Sequence, residues 1–323
     1  MRQLASTPGV QRIAVGDRDP DRAARVARSV GEPVRPEVGD AATWGAADVA
    51  VLADGGDHLL HSRRLVGEGV SVVSASGDPH DVAGLLALDA EARQRGCLVV
   101  GGAGFAPGLS CVLAAHAAAG FDQVDEVHVA TVGTGRPAGR GRHRVRGGDA
   151  CEWVDGQWGP CPSGSGRQLC WFPEPVGPQD CYPDATAGVQ LLASAFPGVG
   201  RVTSRVGSRR RRERLAPHLP GLGRPPRDGR LGALRVEVRG RRGRVHDTCV
   251  LGAVDHWIVA AGATAAVAAL SVAEGRLGRT GAGGLAGLVA DPPAFLGELW
   301  ARGVKVAVFE GTDTSTVRSS ESG

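Results

Sequence analysis

Asp17 closes the run RIAVGD (Arg12 to Asp17), an apolar, β-branched stretch ending in an acid, and the segment DPDRAARVARSV follows it. The run predicts a buried strand; the proline and alanine-rich spacing after it predict a helix. A carboxylate at that junction has a known chemistry. In a doubly wound dinucleotide-binding domain an acid about 20 residues beyond a glycine-rich turn accepts hydrogen bonds from the ribose hydroxyls. Asp17 repels a 2′-phosphate and so favours NAD. Arg18 beside it can stack on adenine or pair with that phosphate, which favours NADP. NAD is the slightly favoured reading. The competing role for Asp17 is a cap on the following helix.

A second stretch, VVGGAGFAPGLSCVLAAHAA, runs from a strand through glycines into a helix that Pro107 and Gly108 open. Small residues before a helix start let a ligand approach the backbone, and the first N–H groups of the helix point at it. The stretch sits at a strand C-terminus, where ligands bind in open parallel sheets. Ser110 can donate to a substrate carboxylate or bond its own helix. A plain tight turn is the alternative. Candidates for proton transfer are Asp78 and His80 in SASGDPHDV, His58 and His61 in DHLLHS, and Asp255 with His256 in AVDHW. The two helix histidines, three apart, have metal-ligand spacing, but no carboxylate cluster accompanies them and no metal is expected. GSRRRRERLAPHL (207–219) concentrates positive charge, so Arg210 or Arg212 is a candidate for a substrate carboxylate. A solvated helix face is the other reading, and no aromatic platform for nucleic acid is present.

The elements that must position these residues follow a regular beat. ADVAVLAD and VSVVSAS read as strands, HLLHSRRLVGEG and DVAGLLALDAEARQRG as helices, CLVVGG as another strand, and EPVRPEV as an edge strand. The fold class is α/β: a Rossmann-like doubly wound parallel sheet over 1–120, then an α+β domain with a mostly antiparallel sheet over 121–250. Residues 251–311 return to the first domain as helices and a strand, and 312–323 form a disordered tail. Counting back from Asp17 runs off the start of the chain, so the first strand and the G-x-G-x-x-G turn are expected to be missing. Two readings stay open: the protein begins further upstream, or cofactor binding has been lost.

The chain has 323 residues, a net charge of +3 and a hydrophobic fraction of 42%. That balance gives no drive toward nucleic acid or membrane surfaces. Lys305 is the single lysine, which disfavours Schiff-base chemistry. The seven cysteines include no C-x-x-C pair and follow no signal peptide, so a reduced, cytoplasmic chain is expected. WIVAAGATAAVAALSVA is shorter than the ~20 residues of a membrane span and predicts a buried helix against a sheet.

A strand followed by GFAPGLS, after a unit ending VGDRDPDRA, resembles the saccharopine dehydrogenase-like oxidoreductases. WFPEPVG and LGALRVEVRG resemble uncharacterised actinobacterial members of that group. The likeness runs from Leu4 to Gly311. It implies hydride transfer between NAD(P) and an amine or imine carbon of a small amino-acid-like substrate, often in a homodimer. It also implies that Asp54 and Gly55 after AVLAD, Ser74 and Ala75 in VVSAS, and Gly102, Gly104 and Phe105 face the cofactor. Pro107 and Gly108 are then placed toward the substrate. The alternatives are a non-catalytic binding or regulatory protein on a dehydrogenase scaffold, and a lyase-like relative that recycles its cofactor.

Overall fold

The computed structural model describes residues 1–36, 47–55, 57–133, 150–160, 166–207 and 231–309. The first part begins with a short helix α1 (Arg2–Ala5), then β1 (Ile13–Val15), α2 (Pro20–Val30) and β2 (Val34–Pro36). It continues with β3 (Val49–Leu52), α3 (His58–Gly67), β4 (Ser71–Ser74), α4 (Pro79–Leu86), α5 (Asp89–Gln94), β5 (Leu98–Gly101) and α6 (Leu109–Ala118). Three helices of this part start on aspartate caps. Asp19, Asp57 and Asp78 each accept from backbone N–H groups two or three residues on, satisfying donors that a helix end leaves free.

The second part holds β6 (Gln123–Val132), β7 (Ala150–Val154), β8 (Gln157–Pro160), β9 (Gln168–Trp171) and β10 (Pro178–Pro183). After them come α7 (Ala187–Ala195), β11 (Arg201–Gly207), β12 (Leu231–Arg242) and β13 (Val245–His256). The chain then makes α8 (Trp257–Ala273), β14 (Gly281–Gly284), α9 (Leu285–Leu288), α10 (Pro292–Ala301) and β15 (Val306–Phe309).

The strands form three sheets. A parallel sheet has the order β14-β5-β4-β3, and β1 pairs with β2, also in parallel. Among the described residues no ladder joins β1 to β3. The expected order 3-2-1-4-5-6 puts its first strand between the strands that correspond to these two. The third sheet has nine strands along β15-β13-β12-β6-β11-β10-β9, with β7 and β8 at its side; among the described residues its one parallel pair is β6–β11. The fold is therefore a Rossmann-like parallel sheet with helices plus a second, mostly antiparallel domain.

Alternation builds the nine-stranded sheet. Val127, Val129, Val202, Val236 and Val238 turn one way into the main core. The charged residues between them, among them Glu126, Glu237 and Arg239, turn the other way. WIVAAGATAAVAALSVA forms α8, which packs on β3 and β4, and its small residues such as Ala260 and Ala263 are buried. No described helix is long and apolar enough to cross a membrane.

Several elements differ from the sequence reading, among them α7, β10 and β11, which it did not name. The segment read as one helix through 81–96 is two, α4 and α5. The break lets the Asp89 carboxylate accept the Ala282 N–H of β14 at 2.8 Å. β14 itself, GAGG, carries no side-chain signal for a strand and was not anticipated; it pairs with β5. β15 joins the edge of the nine-stranded sheet beside β13 rather than returning to the first domain, because its backbone finds partners at Val250–Ala253. β13 also runs on to His256, past the boundary placed at 250. The expected tail at 312–323 lies outside the described residues.

Candidate functional site

At the C-terminal ends of β3 and β4 the chain buries a polar network. His58 opens α3 and is 1% exposed. Its Nδ1 lies 2.8 Å from the Ser74 hydroxyl, and its Nε2 lies 3.1 Å from both the backbone oxygen and a carboxylate oxygen of Asp54. Both Asp54 atoms are acceptors, so Nε2 carries the proton and donates, and Nδ1 accepts from the Ser74 hydroxyl. Asp81 stands 4.0 Å from Nδ1 and accepts the Leu59 N–H at 2.9 Å, tying α4 to α3. Ser74 is fully buried, whereas the Asp54 side chain is 55% exposed. The result is a hydroxyl–imidazole–carboxylate chain that runs from the interior to a solvent-facing carboxylate. It can orient the carboxylate and move a proton along the chain. It cannot present Ser74 as a nucleophile.

The glycine loop is in contact with this network. Ala103 N–H donates to the Ser74 carbonyl at 2.7 Å. Gly104 N–H donates to the Pro107 carbonyl across a turn that holds a cis Ala106–Pro107 bond. The expectation of free N–H groups at the start of α6 is corrected. Leu109 and Ser110 donate to Gly104 and Phe105, while Cys111 and Val112 donate to Gly108, so the loop consumes the donors itself. Phe105, Pro107, Gly108 and Ser110 are all buried, so Ser110 offers no hydroxyl to solvent. The space beside Gly102 is filled as well: a Cβ there would meet Leu191 of α7 at 2.6 Å and Pro107 at 2.9 Å. Packing by the second domain therefore accounts for that glycine. The open surface at these strand ends is Asp54 with Gly55, next to partly buried Ala75.

No protein-family model and no curated protein matches the chain. Among solved structures, an apo saccharopine dehydrogenase (L-Glu forming) from Saccharomyces cerevisiae aligns over 95% of this chain and 96% of its own, with a TM-score of 0.62 at 13% identity. The fold is saccharopine dehydrogenase-like. An amine dehydrogenase from Mycobacterium smegmatis (87% and 90% covered, TM-score 0.45, 14% identity) and a DAP dehydrogenase from C. glutamicum (90% and 97%, 0.42, 12%) align more loosely and carry no argument.

Within this saccharopine dehydrogenase-like fold, Asp17 and Arg18 are exposed just after β1, on the two-stranded sheet and apart from the His58 network. Asp17 Oδ1 accepts the Asp19 N–H at 2.9 Å, and Oδ2 has Arg22 at 3.7 Å, beyond hydrogen-bond length. The cap of α2 is Asp19, so capping is not what Asp17 does. Asp78 does cap: its carboxylate takes the His80 and Asp81 N–H groups, and His80 is exposed on α4. Asp255 accepts the His256 N–H at the end of β13. The described residues include no metal-ligand cluster around His58 and His61. Arg210 and Arg212 lie outside the described residues.

The sequence reading missed one polar region. On the outer face of the nine-stranded sheet a cavity of about 190 Å³ is lined by Glu126, His128, Arg235, Glu237 and Arg239, with Cys170 at its side. His128 bridges Thr203 at 2.8 Å and Glu126 at 2.9 Å. Arg239 reaches both Glu126 and Glu237. The His128 hydrogen bond holds Glu126 below the usual carboxylate range. Burial pushes Glu237 up, but Arg235 and Arg239 outweigh it and hold it low. Burial lowers His128 and outweighs the pull of Glu126. The signal was present in VDEVHVATV and LRVEVRG, where charges alternate with valines, but alternation alone does not reveal which charges meet across strands.

Proposed function

We propose that this protein is an NAD(P)-dependent oxidoreductase that transfers hydride at an amine or imine carbon of a small amino-acid-like substrate, with NAD as the favoured cofactor. The observation that supports this most is the end-to-end likeness to saccharopine dehydrogenase, combined with Asp17 standing exposed just after β1, its Oδ2 ion-paired with Arg22 at 3.7 Å but beyond hydrogen-bond length. That oxygen fits a ribose hydroxyl, and the negative charge disfavours a 2′-phosphate there. Gly55 and Ala75 stand at the strand ends near Asp54, and nothing lies within 4 Å of a Cβ added at Gly55.

The nicotinamide would supply the hydride acceptor or donor. The chain's own residues would do the rest. Asp54 is the exposed end of the polar network and takes the amine proton at its carboxylate. His58 acts through Asp54 as a positioning residue, and Ser74 fixes the imidazole tautomer. Asp78 and His80 are not needed for this role, since Asp78 is occupied as a cap.

The test is a cofactor titration of the full chain followed by an amine-oxidation screen with NAD and NADP. Saturable binding that Asp17→Ala weakens supports the proposal. Binding with no turnover on any amino acid or amine would favour the non-catalytic alternative. In the variant His58→Gln, a displaced pH–rate profile with unchanged cofactor affinity would separate positioning from a structural loss.

A further inference from the structure

We propose that Cys170 and Cys181 form a redox-active dithiol that a small hydroperoxide oxidises to a disulfide. The two residues lie on adjacent antiparallel strands, β9 and β10, where Cys170 faces Gln179 and Cys181 faces Gln168. This register puts them diagonally opposite on one face of the sheet. Both belong to the same buried cluster, with Ala130, Phe172 and Ala233. Diagonal neighbours ordinarily stand about 7–8 Å apart at Cα. Here Cys170 Sγ donates to the carbonyl of Gln168, the residue paired with Cys181, at 3.9 Å, so the Cys170 sulfur leans along its strand toward the Cys181 position. Disulfide closure needs a Cα separation under about 7 Å, so a small movement is required. β9 can supply it, because among the described residues it is an end strand that pairs with β10 alone.

The two sulfurs are unequal. Cys170 lines the 190 Å³ polar cavity together with Arg205 and Arg235, while Cys181 is fully buried behind it. The neighbouring Cys181 thiol brings the Cys170 thiol down to about 7 against its burial, with help from Arg235 and Arg205. Cys181 is pushed up by its Cys170 neighbour and by burial, so it keeps its proton. The other described thiols are pushed the opposite way to Cys170: burial takes Cys111 up to about 11 and raises Cys97 and Cys249. Thiolate character and access together select the reacting sulfur.

The chemistry balances as follows. The Cys170 thiolate attacks one peroxide oxygen and the O–O bond breaks. Cys170 becomes a sulfenic acid, and the departing oxygen takes up the proton released by the thiol. The Cys181 sulfur then attacks the Cys170 sulfur and the S–O bond breaks. Hydroxide leaves as water with the Cys181 proton. Two thiols and a hydroperoxide thus give a disulfide, an alcohol (water, for hydrogen peroxide) and water. Cys170, 5% exposed, lines the cavity, whose size restricts the oxidant to small molecules.

The experiment treats the native protein with hydrogen peroxide and reads its intact mass and its non-reduced peptide map. The expected result is loss of two hydrogens and a peptide pair joining Cys170 to Cys181, reversed by dithiothreitol. In Cys181→Ser the expected product is a sulfenic acid at Cys170, trapped by dimedone. The proposal is overturned if both thiols stay reduced in the native protein, if Cys249 oxidises before Cys170, or if Cys170 links to a different cysteine. The central arm uses the unmodified chain, so it does not depend on a variant folding.

Discussion

His58 illustrates how much one buried side chain is asked to do. It bonds a serine from the next strand and an aspartate from its own loop, and both partners depend on it. Replacing His58 by alanine leaves the Ser74 hydroxyl without its acceptor in a site closed to water. A buried group stranded in this way costs about 1–3 kcal/mol. Urea unfolding of His58→Ala is expected to show a loss in that range, whereas His61→Ala, three residues on, should lie within about 0.5 kcal/mol of the parent. For Asp17 the expected effect is on the ligand: Asp17→Ala should weaken NAD binding about tenfold, roughly 1.4 kcal/mol, and narrow the preference over NADP. A titration with both cofactors checks this. The place of Asp17 between a strand and a helix was legible because it depends only on the run before it and the proline and alanine-rich segment after it. The His58–Ser74 pair was not, since its partners are 16 residues apart and meet only when β3 and β4 align.

At the scale of elements, the glycine loop before α6 is the most tightly specified piece of backbone. Gly108 has φ +126°, and a Cβ there would lie 2.0 Å from the Gly104 carbonyl oxygen. No rotamer relieves a clash with backbone, so Gly108→Ala should fall in the exceptional class of more than about 4 kcal/mol. The expected outcome is loss of cooperative thermal unfolding, read by circular dichroism. Gly55→Ala is the contrast, because nothing lies within 4 Å of its added methyl; its melt should be unchanged. The strand–helix beat of the first domain was readable from apolar runs and glycine stops. β14 was not, because GAGG gains its strand character only from β5 alongside it. The loop's glycines were seen, but the reason for them was hidden. Leu191 of α7 presses on Gly102 from a segment nearly ninety residues later, and that contact exists only in the folded chain.

For the molecule as a whole, the polar face of the nine-stranded sheet sets how stability responds to acid. Burial holds His128 below its ordinary 6.5. The His128 hydrogen bond holds Glu126 below 4.5, and the two arginines do the same for Glu237 against its burial. The Ala282 N–H holds Asp89 below 3.8. Each group binds fewer protons folded than unfolded in the window just beneath its ordinary value. Stability is therefore complete above these values and is lost as pH falls, first below 6.5 and more steeply below 4.5. Melting temperatures measured down a pH series should show that two-stage decline, and Glu237→Gln should flatten the lower stage. The two-domain architecture was readable from the change of rhythm after residue 120. The third-sheet partnership of β15 was not, because an isolated apolar strand does not name the edge it will join.

The reading of this molecule as a nicotinamide-dependent oxidoreductase is tested most directly by titrating the full chain with NADH and following nicotinamide fluorescence. The predicted result is saturable binding below about 1 mM, displaced by NAD and weakened by Asp17→Ala. A titration that stays linear to that concentration, with no displacement by NAD, would contradict it.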